Sequence, residues 1–305
     1  VLWVIGVFAL ARTPRMAEED DRRDQEDHRG GHHWTLGGTR EGCRPPFRRT
    51  GNKGPAIAPA SFFFSTEWAP QSGSFGVLEL VYGTFIITIG AMLIAGPLGI
   101  ATAIYLSEYA RPGFRRVVKP VLEVLAGVPT VVFGYFALNF VTPNLLRAVY
   151  EGCGIFNWAS ASIVVGIFIL PTVASLSEDA MRAVPRSLRE GAYGLGASKL
   201  RVSLRVVAPA ALSGIVAALI LGISRAVGET MAVTIAAGAT PQITASPCES
   251  VQTMTAYIVQ VAGGEASAGS LQYGSIFALG STLFLITLAL NYASIRFVKR
   301  FRQAY

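Results

Sequence analysis

Charge is scarce along most of this 305-residue chain, where only 15% of residues are Asp, Glu, Lys or Arg. An ordinary water-exposed globule is excluded, because so few charged side chains cannot cover a soluble surface. Cysteine and histidine are rarer still, three of each, and Cys43, Cys153 and Cys248 show no metal-ligand spacing. Neither a disulfide framework nor a zinc site follows from them. His28, His32 and His33 fall together in a stretch dense in both charges. They read as part of a solvated tail, since no thiol or carboxylate spacing completes a metal site. A G-x-x-x-x-G-K-[ST] phosphate loop is missing, so the chain carries no nucleotide-hydrolysing motif of its own.

Apolar residues are abundant instead, at 51% with a mean hydropathy of +0.46, and they gather into long runs. Uncharged stretches occupy 80–107, 124–146, 152–177 and 266–295, and 209–238 carries only Arg225 and Glu229 as charges. Each exceeds the roughly 20 residues that a helix needs to cross hydrocarbon. Transmembrane strands would instead alternate over about ten residues. The runs predict an all-α polytopic transmembrane bundle of five full spans. Residues 1–10, VLWVIGVFAL, are too short to cross and read as the remaining part of a first helix. Residues 11–60 are polar, glycine- and proline-rich and charged, a composition that buries too little to fold.

The net charge of +7 does not point to nucleic acid, because beyond residue 54 the cations sit in short segments between apolar runs. Segments 107–119 and 178–205 and the tail from Arg296 hold most of the lysines and arginines, which assigns them and the C-terminus to the cytoplasm. Connections 149–157 and 238–270 contain Glu151, Glu249 and Glu265 and no lysine or arginine, so they face outside. Five crossings require this alternation. It also places Cys153 and Cys248 on one side, where a disulfide is conceivable although sequence does not show proximity.

The inner segment 178–209 is longer than a mere connector. Ser187 and Glu190 have the spacing of a capping box, which predicts a short helix starting at Ser187. Gly191, Ala192, Gly194 and Gly196 would leave that helix a thin surface for another protein's backbone. The alternative is an interfacial helix lying on lipid headgroups, anchored by Arg186, Arg189 and Lys199. The stretch EGAYGLGASKLRVSLRVVAPAALSGI resembles the EAA loop of ATP-binding-cassette importer permeases, with Glu190, Ala192, Gly196, Val206 and Pro209 matching. Gly191 stands where alanine is usual and Ala208 where leucine is usual. The resemblance implies a type I importer permease fold and a coupling helix, carried by Ser187, Glu190, Gly191, Ala192 and Gly196, that fits a cytosolic ABC ATPase.

Three further stretches narrow the resemblance to PstC-type permeases of phosphate importers. They are SRAVGETMAV, FSTEWAPQSGSFGVLELVYGT, and LAGVPTVVFGYF with Gly127, Pro129 and Gly134 in the expected order. The likeness covers about 60–305. It implies a phosphate-transport subunit rather than an enzyme, in a cell membrane, without cofactor. Its implied partners are a PstA-type second permease, an extracytoplasmic phosphate-binding protein and membrane lipid.

Arg225 and Glu229 are the charged candidates within the bilayer. On one continuous helix from Pro209 they lie about 24 and 30 Å along, past the midplane towards the outside and on a shared face. They either neutralise each other as an ion pair or form an oxyanion path. In the second case the guanidinium matches phosphate oxygens, Glu229 holds it until an anion competes, and Gly228 and Thr230 complete the passage. A permease for another oxyanion is the nearest alternative. An ion-coupled secondary transporter is less favoured because the chain shows no convincing internal repeat.

Overall fold

The computed structural model describes residues 59–70, 74–265 and 270–301. The expectations for 1–58, including the partial first helix and the three histidines, lie outside the described residues. From Ser61 onward the chain forms one compact unit. Helix α1 (Pro59–Phe64) leads into a two-residue antiparallel pair, β1 (Trp68–Ala69) and β2 (Ser74–Phe75), with Trp68 opposite Phe75. Everything after it is helical or loop: α2 (Leu78–Ile104), α3 (Pro112–Ala126), α4 (Thr130–Phe136), α5 (Trp158–Arg182), α6 (Arg186–Gly194), α7 (Lys199–Val202), α8 (Leu212–Val227), α9 (Met231–Ala237), α10 (Met254–Gln260) and α11 (Leu271–Phe301). Wider π-helical turns extend α2 through Tyr105–Tyr109, α4 through Ala137–Leu146, α7 through Ser203–Val207 and α10 through Val261–Glu265.

Leu78–Tyr109, Trp158–Arg182 and Leu271–Arg296 are each long and apolar enough to cross a membrane. Two bent pairs, each counted as one span, bring the candidate spans among the described residues up to five. Their boundaries correct the sequence reading. The expected span 124–146 is part of a bent pair, Pro112–Ala126 with Thr130–Val149, which together make one candidate span and meet at 85° across Gly127–Pro129. Proline disfavours α-helical backbone at the residue before it, here Val128, which favours that turn. The expected span 209–238 is neither straight nor continuous. It bends by 72° before α8 and opens again between Val227 and Met231.

Helix α5 is the central element: 61% of its most apolar window is buried, against 17% for α11. Its partner α2 approaches closely through small residues. A Cβ on Gly90 would meet the Ser162 side chain, one on Gly99 would meet Val173, and one on Gly166 would press on the Ala91 carbonyl. Water does not drive helices together in lipid, so close packing of small residues must. Ile87, Ala91, Ala95, Phe133, Val164, Val165, Phe168, Ile169, Val173 and Ala236 form the main core. Hydroxyls on α2 bond their own helix, Thr84 to the Leu80 carbonyl at 2.8 Å and Thr88 to the Thr84 carbonyl at 2.7 Å, as an apolar surrounding requires. A second core joins Ala103, Met181, Val184, Val202, Val207 and Ile215 where α2 and α5 end.

The segment 238–270 is not simply an exposed outer loop. Residues 251–257 are buried, and the Met254 amide donates to the Thr84 hydroxyl at 3.2 Å. Cys153 and Cys248 form a disulfide that ties this segment to the α4–α5 connection.

Candidate functional site

Arg225 occupies the last turn of α8, where its guanidinium lies 4.1 Å over the Phe168 ring. Nη1 donates to the Thr172 hydroxyl at 2.9 Å and Nη2 to the Ala126 carbonyl at 3.2 Å. The three contacts come from the middle of α5 and the C-terminus of α3. These contacts put the guanidinium level with Phe168 and Thr172, which flank the centre of Trp158–Arg182. A ring face and two neutral oxygens hold the cation without cancelling its charge. Two of its N–H groups are thereby used, and the others have no protein acceptor among the described residues.

Glu229 is not its partner. Helix α8 ends at Val227 with Gly228 as its C-cap, so the shared face expected for residues four apart does not exist. Glu229 is buried, and its Oε1 accepts from the Ala232 amide at 3.3 Å, an N-terminal amide of α9 that has no intrahelical acceptor. Its carbonyl accepts from the Thr255 hydroxyl at 2.9 Å. Thr230 donates to the Gly228 carbonyl at 3.2 Å, closing the break locally. Among the described residues Arg225 is therefore the one cation at this level, and Gly228, Glu229 and Thr230 form a helix interruption beside it. The spacing in sequence left this invisible because it presupposed an unbroken helix.

Toward the disulfide lies a cavity of ≈ 790 Å³ lined by residues including Phe156, Thr234, Gly238, Thr240, Ser250 and Gln260. Gly238 has φ 87°, and a Cβ there would also strike the Ser250 hydroxyl, so only glycine fits the end of α9.

The second candidate site is α6. It starts at Arg186 after Pro185, whose ψ of 139° supplies the non-helical N-cap, and no side chain caps it. The expected Ser187–Glu190 capping box is thus absent: Ser187 already lies inside the first turn. At the other end Gly196 has φ 76°, with its amide bonded to the Tyr193 carbonyl at 2.9 Å and that of Ala197 to the Ala192 carbonyl at 3.1 Å. This is a Schellman stop, which needs glycine at that position. Ser187, Glu190, Gly191 and Gly196 are exposed, whereas Ala192 packs on the second core. Leu195 is 90% exposed. Nothing lies within 4 Å of a Cβ placed on Gly191 or Gly194, so this face is open.

Arg189 departs from the reading as a lipid anchor. It turns inward, pairing with Glu108 at 3.1 Å and donating to the Val184 and Met181 carbonyls at 2.6 and 2.8 Å. Glu178, counted with the inner loop by its charge, belongs to α5 and is 1% exposed among Arg115, Lys119 and Arg182. Both were missed because long-range partners leave no local spacing signal.

Residues 95–303 match the family described as binding-protein-dependent transport system inner membrane component. A probable ABC transporter permease protein, YqgH, of Bacillus subtilis is 37% identical over 246 residues, 79% of each chain. The phosphate transport system permease protein PstC of Xylella fastidiosa is 32% identical over 247 residues, 75% of each. Among solved structures, the inward-facing MetNI methionine ABC transporter superposes with a TM-score of 0.56 at 18% identity, covering 75% of this chain and 95% of that one. That structural likeness extends to the fold alone, a type I importer permease, while the sequence match carries descent: the chain belongs to the binding-protein-dependent transport system inner membrane components, multi-pass membrane proteins of permease type.

Proposed function

We propose that this chain, over 61–305, forms half of the translocation pathway of an ATP-driven phosphate importer in the cell membrane. The carrying observation is Arg225, held at mid-depth on Phe168 and Thr172 with its charge uncancelled. Moving an oxyanion across hydrocarbon means replacing its hydration, and a planar guanidinium offers directed, permanently charged donors. Beside it, the helix interruption at Gly228–Thr230 breaks the span, an irregularity tolerated in lipid where it lines a cavity. Similarity to PstC relatives supports phosphate as the anion.

The open face of α6 is the docking element for a cytosolic ABC ATPase, which supplies the hydrolysis. A second, PstA-type permease completes the pore, and an extracytoplasmic phosphate-binding protein delivers to the side bearing the disulfide. Cationic segments 107–119 and 183–205 and the C-terminus face the cytoplasm.

Reconstitution with these partners, comparing ATP-driven accumulation of labelled phosphate with sulfate and molybdate, tests the reading. Phosphate accumulates, and Arg225→Ala lowers its uptake by about 10- to 100-fold, the weight of one or two charge-assisted hydrogen bonds. The ATPase still co-purifies with that variant. Unaltered uptake in Arg225→Ala removes the proposed path, and accumulation of a different anion replaces the substrate.

A further inference from the structure

The cytoplasmic end of α2 holds both limbs of the α6 loop. In the π-helical turn Tyr105–Tyr109, Glu108 Oε1 accepts from Arg189 Nε at 3.2 Å and Nη2 at 3.1 Å. Both side chains are largely buried, 6% and 16% exposed. The same guanidinium bonds the Met181 and Val184 carbonyls where α5 ends. The next residue, Tyr109, presents its ring 4.9 Å from Lys199 Nζ on the opposite limb. Between the limbs, Ala192, Ala197 and Val202 pack on Ala103, Met181 and Val184. A surface ion pair yields too easily to carry force. Here the pair is buried, several bonds share one guanidinium, and losing one partner strands a charge.

Helix α2 then runs from Glu108 to Thr84, about 36 Å at the helical rise. At that far end Thr84 holds the Met254 amide, and Thr255 in the same buried segment holds the Glu229 carbonyl at 2.9 Å. Tyr82 donates to the Thr244 carbonyl at 2.7 Å. One helix therefore contacts the α6 loop at one end and, at the other, the segment that fixes the break beside Arg225.

We infer that Glu108 and Arg189 are positioning residues that lock α6 to α2, so that α2 carries displacement of α6 to the Gly228–Thr230 break. The inference rests on α6 docking the ATPase. It names Arg189, facing away from the open face, as the residue that converts docking into transport.

The experiment uses the complete reconstituted importer and a double variant, Glu108→Ala with Arg189→Ala, which removes both charges and leaves neither buried alone. Phosphate moved per ATP hydrolysed falls about tenfold, the scale of a lost coupling between two sites. Co-purification of the ATPase, its hydrolysis rate and the KM for phosphate stay near the unaltered values. Arg189→Lys, which keeps the charge but has only three donors for the four hydrogen bonds that the guanidinium makes, gives an intermediate ratio. An unchanged ratio in the double variant overturns the inference. Loss of the ATPase from that variant overturns it too, since the pair would then serve docking rather than transmission. A separate Leu195→Cys cross-link to the ATPase, in an otherwise unaltered chain, reports on docking itself. Its absence removes the underlying reading, whereas its presence with an unchanged ratio removes only the clamp.

Discussion

Arg225 shows why the identity of a cation matters as much as its charge. Its contacts reach Thr172 and Ala126 in two directions while the plane rests on Phe168. A lysine supplies a point charge and no plane, so Arg225→Lys is expected to recover little of the uptake lost in Arg225→Ala, in the same vesicle assay. Glu229 works differently: its carboxylate caps α9 through the Ala232 amide. Glu229→Ala should lower stability by about 1 kcal/mol, the usual weight of an N-terminal cap, read as a fall in the thermal midpoint of the detergent-solubilised protein. Gly196 is constrained by backbone alone, at φ 76°. Gly196→Ala should cost about 1–2 kcal/mol of left-handed strain and weaken ATPase binding, measurable by titration of the ATPase into membranes.

At the scale of elements, interruptions do more than the helices they separate. The 85° turn after α3 brings the Ala126 carbonyl under Arg225, and the stop at Val227 takes Glu229 off the arginine's face. Close packing fixes where those interruptions sit. Helix α9 lies against α4 at Gly134, whose Cβ would strike Ile235 and the Ala232 backbone, and α2 lies against α5 at Gly99. Gly99→Val should separate α2 from α5 at a cost of about 1–3 kcal/mol, typical of overpacking. Unfolding in mixed detergent checks it; a midpoint equal to that of the unaltered protein contradicts this packing.

The unit from Ser61 onward is closed near the start of α5 by Cys153–Cys248, which spans a sequence separation of 95. A cross-link over so long a loop stabilises by about 2–4 kcal/mol. The double variant Cys153→Ser with Cys248→Ser should unfold at correspondingly lower denaturant. Reductant should lower the midpoint of the unaltered protein and leave that of the variant unmoved. At the opposite end, the buried Glu178 cluster and the Glu108–Arg189 pair bind α2, α3, α5 and α6 into one body. Helix α11 is the exception, with Phe277, Phe284, Leu288 and Ile295 exposed along its length.

Sequence alone determined the membrane setting and the approximate places of the spans, because hydrophobic length is a local quantity that any fold must respect. The EAA resemblance around Glu190 marked α6, and its Gly196 is the residue that stops the helix. Only tertiary structure decided that Arg225 rests on Phe168 rather than on Glu229, that Arg189 faces inward, and that 251–257 folds back against α2. Each depends on partners tens of residues away, and on breaks at Gly127–Pro129 and Gly228–Thr230 whose angles no spacing of apolar residues encodes. A buried charge takes whatever polar group packing brings within reach, so its partner is settled by the assembled fold.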